Sequence, residues 1–403
     1  MKITAVIAEF NPLHKGHAYL LSQAKENTDG VLVLMSGSCV QRGNFALLNK
    51  WFRANTALRN GADLVCELPY VVSAQSAEYF ASGSIKILNA LNTCSGLAFG
   101  SEHGSITQLN QIAQLLSNET PAFKTLLKHY LNQHYSYALA RQKTVASIMS
   151  VEDAALLETP NNILAIEYLK ALIKSNSPIR PKTIIRKGQS YHGDGHGLLS
   201  ATSIRHYFEE DDFSNKDLTA SLPYSTALLI QEKKRQTAHP LASFYTTIRT
   251  QLLTTAFDEL LLLPDAEKGL LFKMIKMVKL CNHYHDFIEA VSSKSCPKTR
   301  VQRLLMNMVM QCHKNDIETF RSPSFDPWLR VLGFNTKGQA LLKQLKASTD
   351  LPIITNVRSN QTRLSVEQRH LFEFDLLSTD LRSLYCDLSP KLGSDYTYKI
   401  RRI

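Results

Sequence analysis

Short apolar runs alternate with amphipathic stretches through the first part of the chain. Continuous apolar runs of this length predict buried strands, and apolar residues at helical spacing predict helices. The predicted strands are residues 3–10, 30–35, 64–68, 96–99 and 182–185. Helices are predicted over residues 18–24, 50–60, 76–91 and 163–173. Strands and helices that alternate in this order predict an α/β fold with a Rossmann-like, doubly wound parallel sheet.

The pattern changes beyond an acidic run at residues 209–212, where we place a domain boundary near residue 215. Helical spacing then recurs over residues 225–236, 240–252, 267–281, 283–291, 298–312 and 337–347. Residues 352–354 and the Tyr-rich tail are predicted as short paired strands. The sequence therefore predicts an α/β domain over residues 1–215 and a mainly α-helical domain over residues 216–403.

The turn that follows the first strand holds two histidines, His14 and His17, with Gly16 between them. A helix N-terminus offers unpaired N–H groups and the positive end of the helix dipole, so it suits an anion. Imidazoles placed there can donate hydrogen bonds to phosphate oxygens, and Gly16 lets the backbone approach a nucleotide closely. The alternative is that the two histidines only cap the helix.

A second group of polar residues follows other strand ends. Arg42 lies in the polar loop 36–44, and residues 100–102 come directly after the fourth predicted strand. Ligands of doubly wound sheets bind beyond the carboxyl ends of the strands. We therefore expect His14, Arg42 and residues 100–102 to share one site.

The net charge of +11 is unevenly distributed. Residues 1–215 hold 19 Lys and Arg against 17 Asp and Glu, whereas residues 216–403 hold 27 against 18. Such an excess indicates a polyanionic partner, nucleic acid before membrane. A merely basic surface is the alternative.

Two stretches are candidates for nucleic-acid contact. Lys298, Arg300 and Arg303 lie at a predicted helix start, where cations oppose the helix dipole unless an external anion binds. Pairing with acidic neighbours is the alternative for these three. Residues 122–147 interleave basic residues with tyrosines, a pattern typical of nucleic-acid binding and equally of a solvated helix face.

The lengths of the apolar runs, the N-terminal sequence and the cysteine pattern narrow the class of protein. No apolar run approaches a membrane span, and the N-terminus enters a strand without a secretory signal. The seven cysteines are scattered without a Cys-x-x-Cys pair, which favours reduced thiols and a cytoplasmic location. Cys281, His283 and His285 have ligand side chains, but without a second cluster we predict no metal site.

Taken in order, the motifs are similar to those of the bacterial tRNA(Met) cytidine acetate ligase family, a branch of the HxGH nucleotidyltransferase superfamily. The segments that carry the resemblance are residues 10–17 (FNPLHKGH), 35–43 (MSGSCVQRG), 60–69 (NGADLVCELP), 75–78 (QSAE), 99–102 (FGSE), 160–162 (PNN), 200–205 (SATSIR) and 298–305 (KTRVQRLL). The similarity covers nearly the whole chain and weakens after about residue 320.

The resemblance implies that ATP and acetate form acetyl-adenylate and pyrophosphate. The acetyl group would then pass to N4 of the wobble cytidine of elongator tRNA(Met), giving N4-acetylcytidine and AMP. It implies His14, His17 and Arg205 as catalytic residues and Mg²⁺ bound with ATP. Apart from the resemblance, we predict Gln41, Arg42, Lys298, Arg300 and Arg303 as tRNA contacts. The implied ATP-binding residues are Ile7, Asn11, Pro12, His14, Gly16, His17, Leu20, Gly100, Asn162, Arg186 and Ser203.

Two positions depart from the family pattern. Asn49 stands where the family usually has Asp before Lys-Trp, and Gly193 stands where it often has Asp after Tyr-His. The runner-up function is a small-molecule nucleotidyltransferase that makes a dinucleotide-type cofactor, although a chain of 403 residues is large for that task. A tRNA-binding module without catalysis is the third possibility.

Overall fold

The computed structural model describes residues 1–186, 199–209, 216–223 and 240–403. Its main sheet has eight strands in the order β10-β8-β5-β2-β1-β6-β7, with β9 also paired to β8. A separate hairpin pairs β3 with β4. The strand bounds are β1 Ile3–Ala8, β2 Gly30–Ser36, β3 Cys39–Val40, β4 Asn44–Phe45, β5 Leu64–Leu68, β6 Cys94–Ser101, β7 Arg180–Ile185, β8 Leu329–Phe334, β9 Ile353–Ile354 and β10 Arg401–Arg402.

Helices surround this sheet. In the first half they are α1 Lys15–Ala24, α2 Lys50–Arg59, α3 Tyr70–Ser73, α4 Ala77–Ala90, α5 Ile106–Ser117, α6 Pro121–Asn132, α7 Tyr137–Ile148, α8 Val151–Ala155, α9 Pro160–Lys174 and α10 Ala201–Glu209. Later helices are Lys216–Ser221, Pro240–Thr254, Phe257–Leu260, Lys268–Met277, Tyr284–Val291, Lys298–Met310, Lys314–Arg321, Thr336–Ser348, Val357–Asn360, Val366–Cys386 and Ser394–Thr397, with a short 3₁₀ turn at Gln361–Arg363.

The central strands are parallel and buried on both faces, which explains their continuous apolar sequences. In β2 every residue is buried. Its Leu32 and Leu34 pack in one core cluster, and Val31 and Val33 pack in a second cluster on the opposite face. Since α4 and α9 cover the first face while α1 and α2 cover the second, the sheet is doubly wound, as predicted.

Strand β1 lies in the middle, and the chain proceeds through β2 and β5 on one side before it crosses to β6 and β7 on the other. The direction of the strand order therefore reverses between β1 and β6. This reversal opens a crevice at the carboxyl ends of the two strands, where doubly wound sheets bind ligands.

The C-terminal half is mainly helical, as predicted, but it also completes the sheet. Strand β8 is fully buried and pairs antiparallel with β5, so the sheet is mixed rather than wholly parallel. The two short strands predicted near residue 353 and in the tail form as β9 and β10, but each pairs with β8 rather than with the other. The predicted boundary at residue 215 and the predicted helix over residues 225–236 lie outside the described residues.

A buried group of charged side chains joins the two halves of the chain. Lys50 Nζ lies 2.8 Å from Glu67 Oε1 and 2.9 Å from Asp395 Oδ1. Arg330 of β8 pairs with the same two carboxylates. Because removing one member of a buried ion group leaves its partners uncompensated, this group fixes the C-terminal tail against α2 and β5.

Candidate active site

The turn between β1 and α1 is built around a reciprocal pair of histidines. The backbone N–H of His17 donates to Nδ1 of His14 at 3.3 Å, and the backbone N–H of His14 donates to Nδ1 of His17 at 3.3 Å. The rings stack with their centroids 3.8 Å apart. Since each Nδ1 accepts a hydrogen bond, a neutral ring carries its proton on Nε2. Each ring therefore caps the helix with one nitrogen and keeps the other as a donor.

Both histidines are held in the neutral form. Burial, with a smaller contribution from the positive charge of Arg186, lowers the pKa of His14 from 6.5 to about 4. Burial also lowers the pKa of His17 well below 6.5, and His14 and Arg186 lower it further. At neutral pH the pair therefore offers uncharged N–H donors rather than imidazolium ions.

The structure explains the glycine at position 16 differently from the sequence-based prediction. A Cβ atom at this position would lie 2.8 Å from Cε1 of His14, which is too close for real side chains. Glycine is therefore required by the neighbouring imidazole ring as packed here. Its predicted approach to a nucleotide stays a prediction.

Arg186 directly follows β7 and is held by the first turn of α9. Its Nη1 donates to Oδ1 of Asn161 at 2.9 Å. A Cβ on Gly100 would lie 3.5 Å from Cγ of Arg186, so these two predicted site residues are neighbours. The predicted ATP-site residue Asn162 is next in the same helix turn.

Glu102 and the two asparagines form a reciprocal clasp. Glu102 Oε2 accepts from the backbone N–H of Asn162 at 2.8 Å, and Oε1 accepts from Nδ2 of Asn161 at 2.5 Å. In return, Asn162 Oδ1 accepts from the backbone N–H groups of Glu102 at 3.0 Å and of His103 at 3.2 Å. The clasp, which we define as Glu102, Asn161 and Asn162, joins the loop after β6 to the start of α9.

The SATSIR segment meets the histidine turn. Arg205 Nη1 donates to the backbone oxygen of Asn11 at 2.7 Å, so α10 is tied to the turn that carries His14. At the start of α10, the hydroxyls of Ser200 and Ser203 are 2.9 Å apart, and the Ser203 N–H donates to Ser200 Oγ at 3.1 Å. The two motifs are therefore in contact through Arg205.

The other predicted ATP-site residues belong to the same strand–turn–helix unit. Ile7 is buried in β1, Pro12 is buried in the turn, and Leu20 is partly exposed in α1. Asn11 Oδ1 accepts from the backbone N–H of Leu47 at 2.8 Å, which fixes the turn from its outer side.

The predicted tRNA contacts come together from two distant parts of the sequence. Gln41 and Arg42 lie in the β3–β4 hairpin, and Arg42 is exposed. The next residue, Gly43, has a φ of +75°, and a Cβ there would lie 2.4 Å from the backbone nitrogen of Arg303. The hairpin therefore packs directly against the helix Lys298–Met310.

The three cations of that helix nevertheless have acidic partners. Lys298 pairs with Glu289. Arg300 lies 2.6 Å from Glu267 Oε1, and Arg303 lies 3.6 Å from Asp265 Oδ2. The Arg303 side chain is only 14% exposed. These pairs are the alternative that the sequence left open, and the RNA contact of the three residues stays a prediction.

Glu102 belongs to the segment 100–102 that the sequence analysis placed at the site, although its contacts with the asparagines were not predicted. A residue that the sequence analysis missed is Arg53 of α2, whose buried guanidinium donates to the backbone oxygens of Glu9 at 2.7 Å, Ser36 at 2.9 Å and Leu48 at 3.0 Å, and also to that of Gly37. Arg53 thus ties together the loops that follow β1 and β2. Its signal was an arginine on the buried face of an amphipathic helix, where the pattern called for an apolar residue.

The departure at Asn49 is also explained by local structure. Asn49 is the N-cap of α2, and its Oδ1 accepts from the Phe52 N–H at 2.9 Å. Asn and Asp serve equally well as N-caps. The second departure, Gly193, lies outside the described residues.

An open concavity of about 470 Å³ lies between α1, β7 and the loop that follows β6. Tyr19, His103 and Ile185 are among its lining residues. Within the described ranges, no group of three His, Cys, Asp or Glu side chains is arranged to hold a metal ion. Among the described helices, none combines the length and hydrophobicity that a membrane span requires.

Comparison with known proteins agrees with this geometry. The model of the HIGH nucleotidyl transferase family matches residues 1–394. The tRNA(Met) cytidine acetate ligase of Clostridium novyi is 39% identical over 88% of this chain and 89% of its own, and that of Acetivibrio thermocellus is 33% identical over 99% of each chain. The crystal structure of Thermotoga maritima TmcAL bound with alpha-thio ATP superposes with a TM-score of 0.89 at 28% identity and covers all of both chains. The chain therefore belongs to the tRNA(Met) cytidine acetate ligase family, within the HIGH nucleotidyl transferases.

Proposed function

We propose that this protein uses ATP to activate acetate and transfers the acetyl group to a cytidine of tRNA(Met). The observation that carries the proposal is the convergence of His14, His17, Arg186 and Arg205 at the carboxyl end of β1. Two neutral donors and two fixed positive charges at a helix N-terminus suit a triphosphate. The relatives and the solved structure named above support the same activity.

In the first step, a carboxylate oxygen of acetate attacks the α-phosphorus of ATP. The bond from this phosphorus to the oxygen that bridges to the β-phosphate breaks, and pyrophosphate leaves with the electron pair. His14 and His17 donate from Nε2 to the oxygens that gain charge, and Arg186 and Arg205 add electrostatic stabilisation. Such preorganised donors supply most of the rate in transfers at phosphorus.

In the second step, the N4 amine of the wobble cytidine of elongator tRNA(Met) attacks the carbonyl carbon of acetyl-adenylate. The bond from this carbon to the phosphate oxygen breaks and AMP leaves, while the amine loses a proton. The cytidine must leave its stack to present the amine. The products are N4-acetylcytidine and AMP.

ATP would lie along the strand–turn–helix unit, with its triphosphate near the histidines. Ile7, Asn11, Pro12, Gly16 and Leu20 line this unit in our proposal. Gly100, Asn162 and Ser203 complete the site from β6, α9 and α10. Mg²⁺ would enter with the triphosphate, whose oxygens are ligands that this ion prefers.

We assign residues 1–215 to nucleotide chemistry and the basic residues 216–403 to tRNA binding, in a cytoplasmic enzyme. Gln41 and Arg42 would contact tRNA together with the adjoining helix start. There, RNA phosphates would replace the carboxylates that now pair with Lys298, Arg300 and Arg303. Nucleic-acid binding that displaces such pairs is strongly salt-dependent.

Pyrophosphate release, measured with ATP and acetate in the presence and absence of a tRNA(Met) transcript, tests the function. We expect release that depends on acetate, and acetylated cytidine in the digested tRNA. His17→Ala should abolish both while tRNA affinity stays close to that of the unchanged protein. His285→Ala, which removes an exposed histidine from the helix Tyr284–Val291, is the matched control and should change neither.

The runner-up, a small-molecule nucleotidyltransferase, predicts a different result in the same assay. Pyrophosphate release would then depend on a phosphate-bearing metabolite and would be indifferent to acetate. If no pyrophosphate is released with either acetate or the metabolite, and tRNA still binds, the result would favour a binding module without catalysis.

A further inference from the structure

The helical hairpin of α6 and α7 is a basic, aromatic surface that the site described above does not include. Residues 121–148 contain no Asp or Glu, but they contain Lys124, Lys128, Arg141 and Lys143. Phe123 is the buried residue of α6, so nearly all of that helix faces solvent. We define the α6–α7 surface by its cations and tyrosines: Lys124, Lys128, Lys143, Tyr130, Tyr135 and Tyr137.

The lysines of this surface differ from the cations of the helix Lys298–Met310. None of the carboxylates in the described parts of the chain lies within ion-pairing distance of Lys124, Lys128 or Lys143. Arg141 is the member of the hairpin that does pair, at 3.3 Å from Glu167 of α9. These three lysines are therefore not ion-paired with described carboxylates, although Glu119 lines the same concavity as Lys124. Unpaired cations attract an anion more strongly than the paired cations of the helix start do.

The aromatic rings are placed among these charges. Lys143 Nζ lies 4.8 Å from the ring centroid of Tyr135 and 5.9 Å from that of Tyr130. The two rings are 6.3 Å apart. Tyr137, at the start of α7, is 57% exposed and offers a ring to solvent. Tyr130 and Tyr135 are partly buried, so Tyr137 is the exposed ring of this surface. Lysines interleaved with tyrosines match a chain of phosphates and bases, since phosphates bind lysine and bases stack on tyrosine.

The α6–α7 hairpin contacts α9, the helix that carries Asn161 and Asn162 of the clasp. Arg141 contacts Glu167, and Gln142 Nε2 donates to Glu158 Oε1 at 2.5 Å. Thus α7 runs beside the start of α9, whose first turn holds Asn161 and Asn162. Glu167 is five residues beyond Asn162, which is about 8 Å along a helix. The α7 side of the hairpin therefore lies near the proposed ATP site, whereas Lys124 of α6 lines a concavity with Lys174 at the other end of α9.

We propose that the α6–α7 surface binds the tRNA substrate, with its lysines on the phosphates and Tyr137 against an unstacked base. This inference rests on the proposed function and deepens it. The nucleotide-binding half would then grip RNA itself, although its overall charge is nearly balanced. RNA held from both the hairpin and the basic C-terminal half would be fixed across the site.

The test compares two variants that lose the same charge. Lys124→Gln, Lys128→Gln and Lys143→Gln together remove three charges from the surface and keep the side-chain stems. The control combines Lys2→Gln, Lys25→Gln and Arg59→Gln, three exposed cations that lie just before β1, just after α1 and at the end of α2, outside the proposed ATP and tRNA sites. The dissociation constant of a tRNA(Met) transcript is measured for each over a range of KCl concentrations.

We expect the surface variant to bind tRNA about tenfold more weakly at physiological salt, with the slope of log K against log[KCl] smaller by about 2. The control should keep the slope of the unchanged protein. Tyr137→Ala should weaken binding by about fivefold or more without changing the slope. An unchanged slope in the surface variant, or an equal loss in the control, would overturn the proposal. So would a surface variant that loses affinity for anionic lipid vesicles and keeps its affinity for tRNA.

The proposed function and this surface fail in different ways. If the unchanged protein transfers no acetate to tRNA, the function fails, and the comparison of binding constants can still be read. If acetate transfer occurs and the surface variant binds tRNA like the unchanged protein, the surface proposal alone is overturned.

Discussion

Replacing Glu102 by glutamine is the most direct test of how the site is held together. The Glu102 carboxylate accepts from the backbone N–H and the side-chain Nδ2 of Asn161, and from the backbone N–H of Asn162. The N-cap residue of α9, Thr159, makes no side-chain cap bond of its own. The carboxylate therefore does the capping that the local sequence does not provide. It also orients Asn161, whose Oδ1 holds Arg186.

The loss in the free energy of unfolding can be estimated from these hydrogen bonds. Glu102→Gln keeps one acceptor oxygen and turns the other into an N–H₂ group, which faces a donor. One or two hydrogen bonds to a charged acceptor are lost, each worth about 1.5–3 kcal/mol. Loss of a helix cap by itself costs about 1 kcal/mol. We expect the free energy of unfolding to fall by about 2–3 kcal/mol.

Part of that loss should appear in nucleotide binding. With Asn161 released, Arg186 loses its fixed position beside Gly100. A loss of about 1.4 kcal/mol in binding the phosphates raises KM for ATP about tenfold. Binding of tRNA should be unaffected, because no residue of the clasp is among the proposed tRNA contacts or belongs to the α6–α7 surface.

Urea unfolding and steady-state kinetics with varied ATP measure the two effects. Ser365→Ala is the matched control, because Ser365 caps the helix Val366–Cys386 through the Gln368 N–H at 3.1 Å, and no contact joins it to the clasp. The control should lose about 1 kcal/mol of stability and keep its KM. If Glu102→Gln loses stability and KM for ATP stays within about twofold, Glu102 is only a helix cap and the reasoning is refuted.

The remaining predictions concern the two helix starts, α1 and α2. His14→Asn keeps an N-cap but removes a group whose pKa is lowered from 6.5 to about 4. Because the folded protein resists protonation of this histidine, the free energy of unfolding decreases as the pH is lowered from 6.5 to 4. The variant lacks this loss, so at pH 4 it should have lost about 3 kcal/mol less than the unchanged protein. Unfolding at several pH values checks this, and equal curves would contradict it. Gly16→Ala should raise KM for ATP about tenfold or more, because the new methyl group displaces the His14 ring. Asn49→Asp should change stability by less than about 1 kcal/mol and leave turnover unchanged; faster turnover would give that carboxylate a catalytic part.

The sheet and the histidine turn were predictable because their signals are local. A strand buried on both faces reads as an unbroken apolar run, and a turn that holds two histidines needs no distant partner to be recognised. Strand β8 was missed because its partner is β5, far away in the sequence. Six residues carry little periodic signal by themselves, and burial between two strands is a property of the assembled sheet.

The helix Val366–Cys386 was missed for a different reason. Its buried side includes polar and charged residues, among them Asp375, Thr379 and Arg382. These residues face partners in the first half of the chain: Asp375 accepts from the Tyr70 N–H, and Arg382 donates to the backbone oxygens of Ala46 and Leu47. These polar residues interrupt the apolar stripe that would have predicted the helix, although the helix is long. The acidic partners of Lys298, Arg300 and Arg303 were hidden likewise, since they come from other helices and loops.

The two explanations that the sequence offered for His14 and His17 turn out to be compatible. Capping consumes the Nδ1 atom of each ring and leaves Nε2–H as a donor. A protonated ring could not accept at Nδ1, and its charge would oppose the positive end of the α1 dipole. The lowered pKa values of His14 and His17 therefore preserve both roles. In the proposed site, positive charge for a triphosphate would come instead from Arg186, which is held by Asn161, and from Arg205, which is held by the backbone of Asn11. Neither contact uses an imidazole nitrogen.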